Sequence, residues 1–315
     1  MSVRGRDLET EDGSRISRRS GGGDTLTSAN PVFSDMLASA SLEVMPKTLE
    51  RIDDPRKLLP PGGRVYIACL KGTSIDSMIA AARRLTDAGL CPMPHVPARM
   101  IPDAITFETW MKRYRNEAGV NQALLLAGGM AQSAGPYHAS TQLLETGVFD
   151  RLGFERLHVA GHPEGSLDID PDGTDSRIMT ALAWKQEFSN RTNAHMAIVT
   201  QFVFDAAPVI AWTRAIRARG VAMPVHIGLA GPTRLATLIK YAVSCGVGPS
   251  MSVLQRRAKN LRNLARPFEP TQIASELAQA VGERPELGIE AFHFFPLGGI
   301  EATVDWLKAA RSDRL

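Results

Sequence analysis

Cysteine is scarce in this chain, with three in 315 residues: Cys69, Cys91 and Cys245. They are far apart, odd in number and without metal-ligand spacing, so a disulfide framework and a cysteine-built zinc site are both excluded. Cys69 and Cys245 read instead as quiet core residues. Long apolar runs are also missing. Nothing approaches the roughly 18 to 20 residues that a membrane span needs, and the N-terminus carries charges where a secretory signal would carry its apolar stretch. The expectation is a cytoplasmic protein with no membrane partner. An excess of one charge is lacking too: 36 Lys and Arg face 33 Asp and Glu, a net charge of +3. That is too small to imply nucleic acid as a partner. No segment repeats at a fixed period, which argues against a solenoid or propeller.

What is present is an ordinary globular composition, 44% apolar and 22% charged. Residues 1–34 hold clustered charges of both signs, Gly21-Gly22-Gly23 and no hydrophobic period, which predicts a disordered tail. From Ala38 onward, short apolar runs alternate with longer amphipathic ones. Eight runs read as strands: 39–44, 65–69, 93–97, 123–127, 156–160, 196–201, 224–228 and 290–294. Between them lie helical stripes such as Ile75, Met78, Ile79, Ala82 and Leu85, stopped by Gly89, and Leu235, Leu238, Ile239 and Ala242, closed by Gly246. Eight strands alternating with helices, with no second domain-sized block, predict a single (β/α)8 barrel over 35–315. An open doubly wound sheet is the alternative. Two intervals fit poorly: 47–63 is short and proline-rich for a crossover helix, and 229–287 is long enough for two.

In such a barrel the chemistry belongs at the C-terminal ends of the strands. The polar residues expected there are Glu43, Lys71, His95, Gly128 with Gly129, His162 with Glu164, Gln201 with Asp205, His226 and His293. A histidine at a strand end can equally bridge backbone carbonyls, so the signal lies in the convergence of several on one rim. Gly128 and Gly129 read either as a close backbone approach to a ligand or as a flexible turn.

Five stretches in order carry a resemblance. Ser41-Leu42-Glu43-Val44-Met45-Pro46 resembles the Phe-Glu-Phe-Phe-Pro opening strand of methylenetetrahydrofolate reductases, and Pro94-His95-Val96 their Pro-His-Leu. Ala160-Gly161-His162-Pro163-Glu164-Gly165 is similar to their Ala-Gly-Tyr-Pro-Glu-Gly turn. Thr200-Gln201-Phe202-Val203-Phe204-Asp205 resembles Thr-Gln-Phe-Phe-Phe-Asp, and Phe292-His293-Phe294-Phe295 resembles Phe-His-Phe-Tyr. The resemblance spans about residues 38–310. It implies a (β/α)8 barrel holding FAD, with hydride passing from NAD(P)H through flavin to methylenetetrahydrofolate. It implies Glu43 as the acid that opens the imidazolidine ring. A carboxyl between Leu42 and Val44 could be desolvated enough to stay protonated near neutral pH. It further implies Gln201, Phe204 and His293 on the folate side, and His95, Gly128, Gly129, Met130, His162 and Lys185 on the flavin side.

The departures fall on the flavin side. Ala127-Gly128-Gly129-Met130 stands where the family writes Leu-Arg-Gly-Asp, which removes a cation and a carboxylate, and Ala68-Cys69-Leu70 stands for Thr-Tyr-Gly. Without flavin, the same barrel could pass hydride directly from NAD(P)H to folate, serve as a tetrahydrofolate-dependent one-carbon transferase or folate-binding protein, or act as a regulatory subunit. The run Arg256, Arg257, Lys259, Arg262 and Arg266 reads as a solvated helix face, or as a site for folate glutamate tails. A homo-oligomer is left open by the sequence.

Overall fold

A computed structural model describes residues 30–244 and 267–312 of the chain. Eight parallel strands form: β1 (Ser41–Val44), β2 (Arg64–Ile67), β3 (Cys91–Pro97), β4 (Gln122–Leu126), β5 (Arg156–Gly161), β6 (His195–Val203), β7 (Val225–Ala230) and β8 (Ile289–Phe295). Each end lies within two residues of the sequence expectation. The strands pair in sequence order, and β8 returns to β1 through Ser41 with His293 and Leu42 with Phe294. That last pairing closes the barrel and excludes the open sheet.

Alternation sorts the strand side chains into two sets. Leu157 and Val159 of β5, Ile198 of β6, and Phe292 and Phe294 of β8 face outward into the main apolar core between barrel and helices. Inside, Tyr66, Met93, Leu124 and Val199 form a second cluster. The remaining interior is polar: Ser41, His158, His226 and His293 are all buried.

The described helices are α1 (Pro31–Ala38), α2 (Pro46–Leu49), α3 (Ile75–Asp87), α4 (Ala104–Ala118), α5 (Ser140–Glu145), α6 (Val148–Arg151), α7 (Ser176–Arg191), α8 (Ala206–Ala218), α9 (Leu235–Ser244), α10 (Thr271–Glu283) and α11 (Ile300–Ser312). Local chemistry sets their starts. Ser74 accepts from the Ser77 amide, Asp103 from Thr106 and Asp205 from Ala207, each satisfying an amide that the helix leaves unpaired. The α3 stripe buries Met78, Ile79, Ala82 and Leu85. Of the two awkward intervals, 47–63 holds only α2 and one turn at Pro55–Lys57, whereas 229–287 holds α9 and α10.

One boundary needs correction. The tail predicted to run to residue 34 would cut α1, which starts at Pro31 with Asn30 accepting from the amides of Val32 and Phe33. Phe33, Met36 and Leu37 are buried, and Arg311 of α11 donates twice to the Leu37 carbonyl. A short apolar stripe beside a charged segment was masked by its neighbours. Cys245, Gly246 and the basic run at 256–266 lie outside the described residues. Among the described residues, no helix is long and apolar enough to cross a membrane.

Candidate functional site

A cavity of about 1170 Å³ opens at the C-terminal mouth of the barrel. Its wall includes Glu43, Lys71, His95, Gly128, Gly129, Met130 and Gln201, so seven residues chosen from sequence meet in one place. Apolar surface from Met100, Leu126 and Phe295 completes the depth of the cavity, and Arg51 and Lys71 stand on the β1–β2 side. This is a concave, mostly apolar site with a few convergent polar groups, the usual form of a small-molecule pocket.

Its chemical centre is a carboxylate between two imidazoles. Glu43 Oε2 lies 3.2 Å from His95 Nε2 and 3.7 Å from His293 Nε2. The expectation of a protonated Glu43 is overturned here. Burial by itself would raise this carboxyl, but His95 and then His293 outweigh it and hold it down at about 2. Sequence reading weighed the apolar neighbours Leu42 and Val44, which point away from Glu43 on the same strand. The histidines that decide the charge come from β3 and β8.

His293 is fully buried beneath Glu43, with Nδ1 3.0 Å from the Ser41 hydroxyl. It therefore acts on Glu43 and does not line the cavity. Burial pushes its ring below the usual range, against the pull of Glu43. Gln201 reaches the wall through a bulge. The β6–β7 register shifts between Val199 and Phe202, and Gly228 makes room for it, because a Cβ there would meet the carbonyl oxygens of Thr200 and Gln201 at 2.5 and 2.7 Å. The Gln201 Oε1 accepts from the Phe202 amide, which leaves the amide nitrogen for a ligand.

Several expected site residues lie elsewhere. Phe204 is buried in an apolar cluster with Phe202, Phe268 and Leu235; its place after the Gln201 bulge turns it into the core. His226 is the second residue of β7 and faces Glu290 at 3.6 Å, toward the opposite mouth. Asp205 is the cap of α8. His162 and Lys185 are neighbours outside the cavity wall. Burial and the adjacent Lys185 lower His162 to about 4, and burial alone lowers Lys185 to about 8. Cys69 does line the cavity, but burial raises its thiol to about 11, so it is no nucleophile at neutral pH.

Sequence reasoning missed Arg99. It donates to the carbonyls of Gly128 and Met130 at 3.3 and 3.1 Å and to Asp168 at 2.9 Å, tying the loops after β4 and β5 together. Its position two residues past β3, where barrel sites gather, was the available signal.

Of the six residues that the resemblance places on the flavin side, His95, Gly128, Gly129 and Met130 line the cavity, whereas His162 and Lys185 do not. Gly128 has φ +91° and a Cβ there would sit 2.8 Å from the Pro97 Cβ, so its backbone is pressed on β3. Arg99 is engaged by its own chain, and Lys185 is away from the wall. Among the described residues, the β4–β5 side offers no unengaged cation on the cavity wall for a diphosphate. Among the same residues, no group of three or more His, Cys, Asp or Glu is placed to hold a metal ion.

No family model matches the chain. Among solved structures it is similar to the carboxyl transferase domain of Rhizobium etli pyruvate carboxylase, at 11% identity and a TM-score of 0.47, over 92% of this chain and 47% of that one. The same domain with 3-bromopyruvate gives 9% identity and a TM-score of 0.45, over 92% and 50%. The chain thus spans about half the length of those structures, and a likeness this distant carries nothing about activity.

Proposed function

We propose that the protein is an oxidoreductase of folate one-carbon metabolism resembling methylenetetrahydrofolate reductase, which reduces methylenetetrahydrofolate to methyltetrahydrofolate with hydride from NAD(P)H. The observation that supports this reading is the meeting of Glu43 and Gln201 on one cavity wall, since the resemblance implies the first as the acid and the second as a folate-side residue. Reduction needs a proton to open the imidazolidine ring into an electrophilic iminium ion. Glu43 is held as a carboxylate, so it acts on that proton through His95, whose Nε2 lies 3.2 Å away. The His95 side of the pair delivers the proton to the substrate nitrogen, the Glu43 carboxylate steadies it there, and His293 below holds that carboxylate in place. Gln201 uses its free amide edge on the heterocycle, and Met100 and Leu126 cover an apolar face. No step is assigned to flavin.

The engagement of Arg99 by its own chain, which leaves the β4–β5 side of the wall without a cation for a diphosphate among the described residues, favours a second reading, a tetrahydrofolate-dependent one-carbon transferase or folate-binding protein on the same barrel. One assay separates them. Purified protein with methylenetetrahydrofolate and either NADH or NADPH is expected to oxidise the nicotinamide in a folate-dependent manner, without added FAD. Folate binding with no nicotinamide oxidation would move the second reading ahead, and the absence of both would overturn the folate assignment.

A further inference from the structure

Beneath Glu43 the barrel departs from the layers of branched aliphatic side chains that usually fill this fold. Tyr66, His158 and His226 face inward, none more than 3% exposed. Two of their ring nitrogens, Nε2 of His158 and Nδ1 of His226, have no hydrogen-bond partner, although the rings meet edge to face with centroids 5.0 Å apart. Buried polar atoms left unpaired are costly and call for an explanation.

The neighbours fix which nitrogen holds the proton. The Tyr66 hydroxyl lies 2.6 Å from His158 Nδ1. The Arg64 guanidinium, whose charge is felt at the phenol, donates to Gln122 and offers the phenol no acceptor. If His158 donated to the phenol, the phenol's own proton would have no acceptor. Tyr66 therefore donates to Nδ1, and the His158 proton sits on the unpartnered Nε2. In His226, Nε2 faces the acceptor-only carboxylate of Glu290, so that nitrogen carries the proton and Nδ1 is a bare acceptor. Burial, aided by the charges of Arg64 and Arg156, keeps both rings neutral. An orphan donor and an orphan acceptor thus sit on rings whose centroids are 5.0 Å apart, with no direct hydrogen bond between them. The strand partners at this level are small: Ala197 pairs with His158 and Ala291 with His226.

We infer that one buried water molecule binds between His158 Nε2 and His226 Nδ1, closing a hydrogen-bond chain of one direction that runs from Tyr66 through His158 and the water to His226, whose other ring nitrogen faces Glu290. It accepts from the first ring and donates to the second, as a two-partner internal water does. The chain makes Tyr66 a positioning residue. Its ring lies 4.3 Å from that of His293, which in turn touches Glu43. The inference stands on the barrel interior and does not depend on the proposed reaction.

The test uses the full chain labelled with ¹⁵N-histidine and ¹³C-glutamate. At pH 7 both rings should be neutral with the proton on Nε2, and a crystal structure should show a water within hydrogen-bond distance of both orphan nitrogens. Tyr66→Phe keeps a ring against His293 but removes the donor. It should abolish the single His158 tautomer and move the Glu43 carboxyl titration upward. An Nδ1 proton on His158 in the parent, or the two rings bonded with no water between, would overturn the site. An unmoved Glu43 titration in Tyr66→Phe would overturn the positioning role. Should that variant fail to fold, the parent spectrum and crystal structure still decide the water site, and Tyr66→Trp serves for the Glu43 readout.

Discussion

Glu43 Oε2 lies 3.2 Å from His95 Nε2 at the C-terminal mouth of the barrel, on strands that are not neighbours. The pair joins the first strand to the third across the lumen, and its carboxylate is the charged group most deeply placed on the cavity wall. Removing the charge while keeping the shape is the direct test. Glu43→Gln should lower turnover of methylenetetrahydrofolate roughly 100-fold or more, the usual scale for general acid catalysis, with folate binding changed far less. Gln201→Ala should act in the opposite sense, raising KM about tenfold, the worth of one lost hydrogen bond, before kcat falls. Steady-state kinetics on both variants checks the split; equal turnover by Glu43→Gln and the parent would remove Glu43 from the chemistry.

Acid should loosen the protein from the inside. Burial lowers His158, His226 and His293 below their ordinary 6.5. Below pH 6.5 the unfolded chain takes up protons at these rings and the folded chain does not, so the stability they contribute is present above 6.5 and is lost as pH falls. Glu43, lowered from 4.5 to about 2, adds a second loss between those two values. Thermal unfolding midpoints should fall steadily from pH 6.5 downward. A flat profile between pH 7 and 5 would show that the rings are not held neutral.

Gly128 should resist every side chain, including the arginine that the family pattern places there. Its φ is +91° and a Cβ would meet Pro97 at 2.8 Å, so Gly128→Ala is expected to cost about 1–3 kcal/mol. Gly129, whose Cβ would meet nothing within 4 Å, should accept alanine at a cost within about 1 kcal/mol. Urea unfolding of the two variants side by side would show whether the contrast holds.

The N-terminal boundary is testable in the same way. Deleting residues 1–29 should leave the unfolding midpoint nearly unchanged, since that segment's composition cannot bury enough apolar surface to offset its ordering. Phe33→Ala, by contrast, empties a buried position on α1 and should cost about 3 kcal/mol. A large loss from the deletion would mean that the tail docks.

By itself the sequence determined the eight strands and their order, because hydrophobic alternation and helix stops such as Gly89 act over a few residues and leave a local trace. It also carried Glu43, His95 and Gln201 to the right rim, because strand ends are where a barrel presents its side chains. What the tertiary structure alone decided was everything that depends on which strands face one another. Closure rests on the pairing of Ser41 with His293, 252 positions apart in sequence. The charge of Glu43 rests on two histidines from other strands, which outweigh the desolvation that its own neighbours suggested. Phe204 and His226 were misplaced because a bulge in β6 and the depth of a residue within its strand have no local signature. Tyr66 and Arg99 were passed over because a hydroxyl or guanidinium shows its role only when its partner across the barrel is known. Local periodicity is written along the chain, whereas charge, burial and pairing belong to the space that the closed barrel encloses.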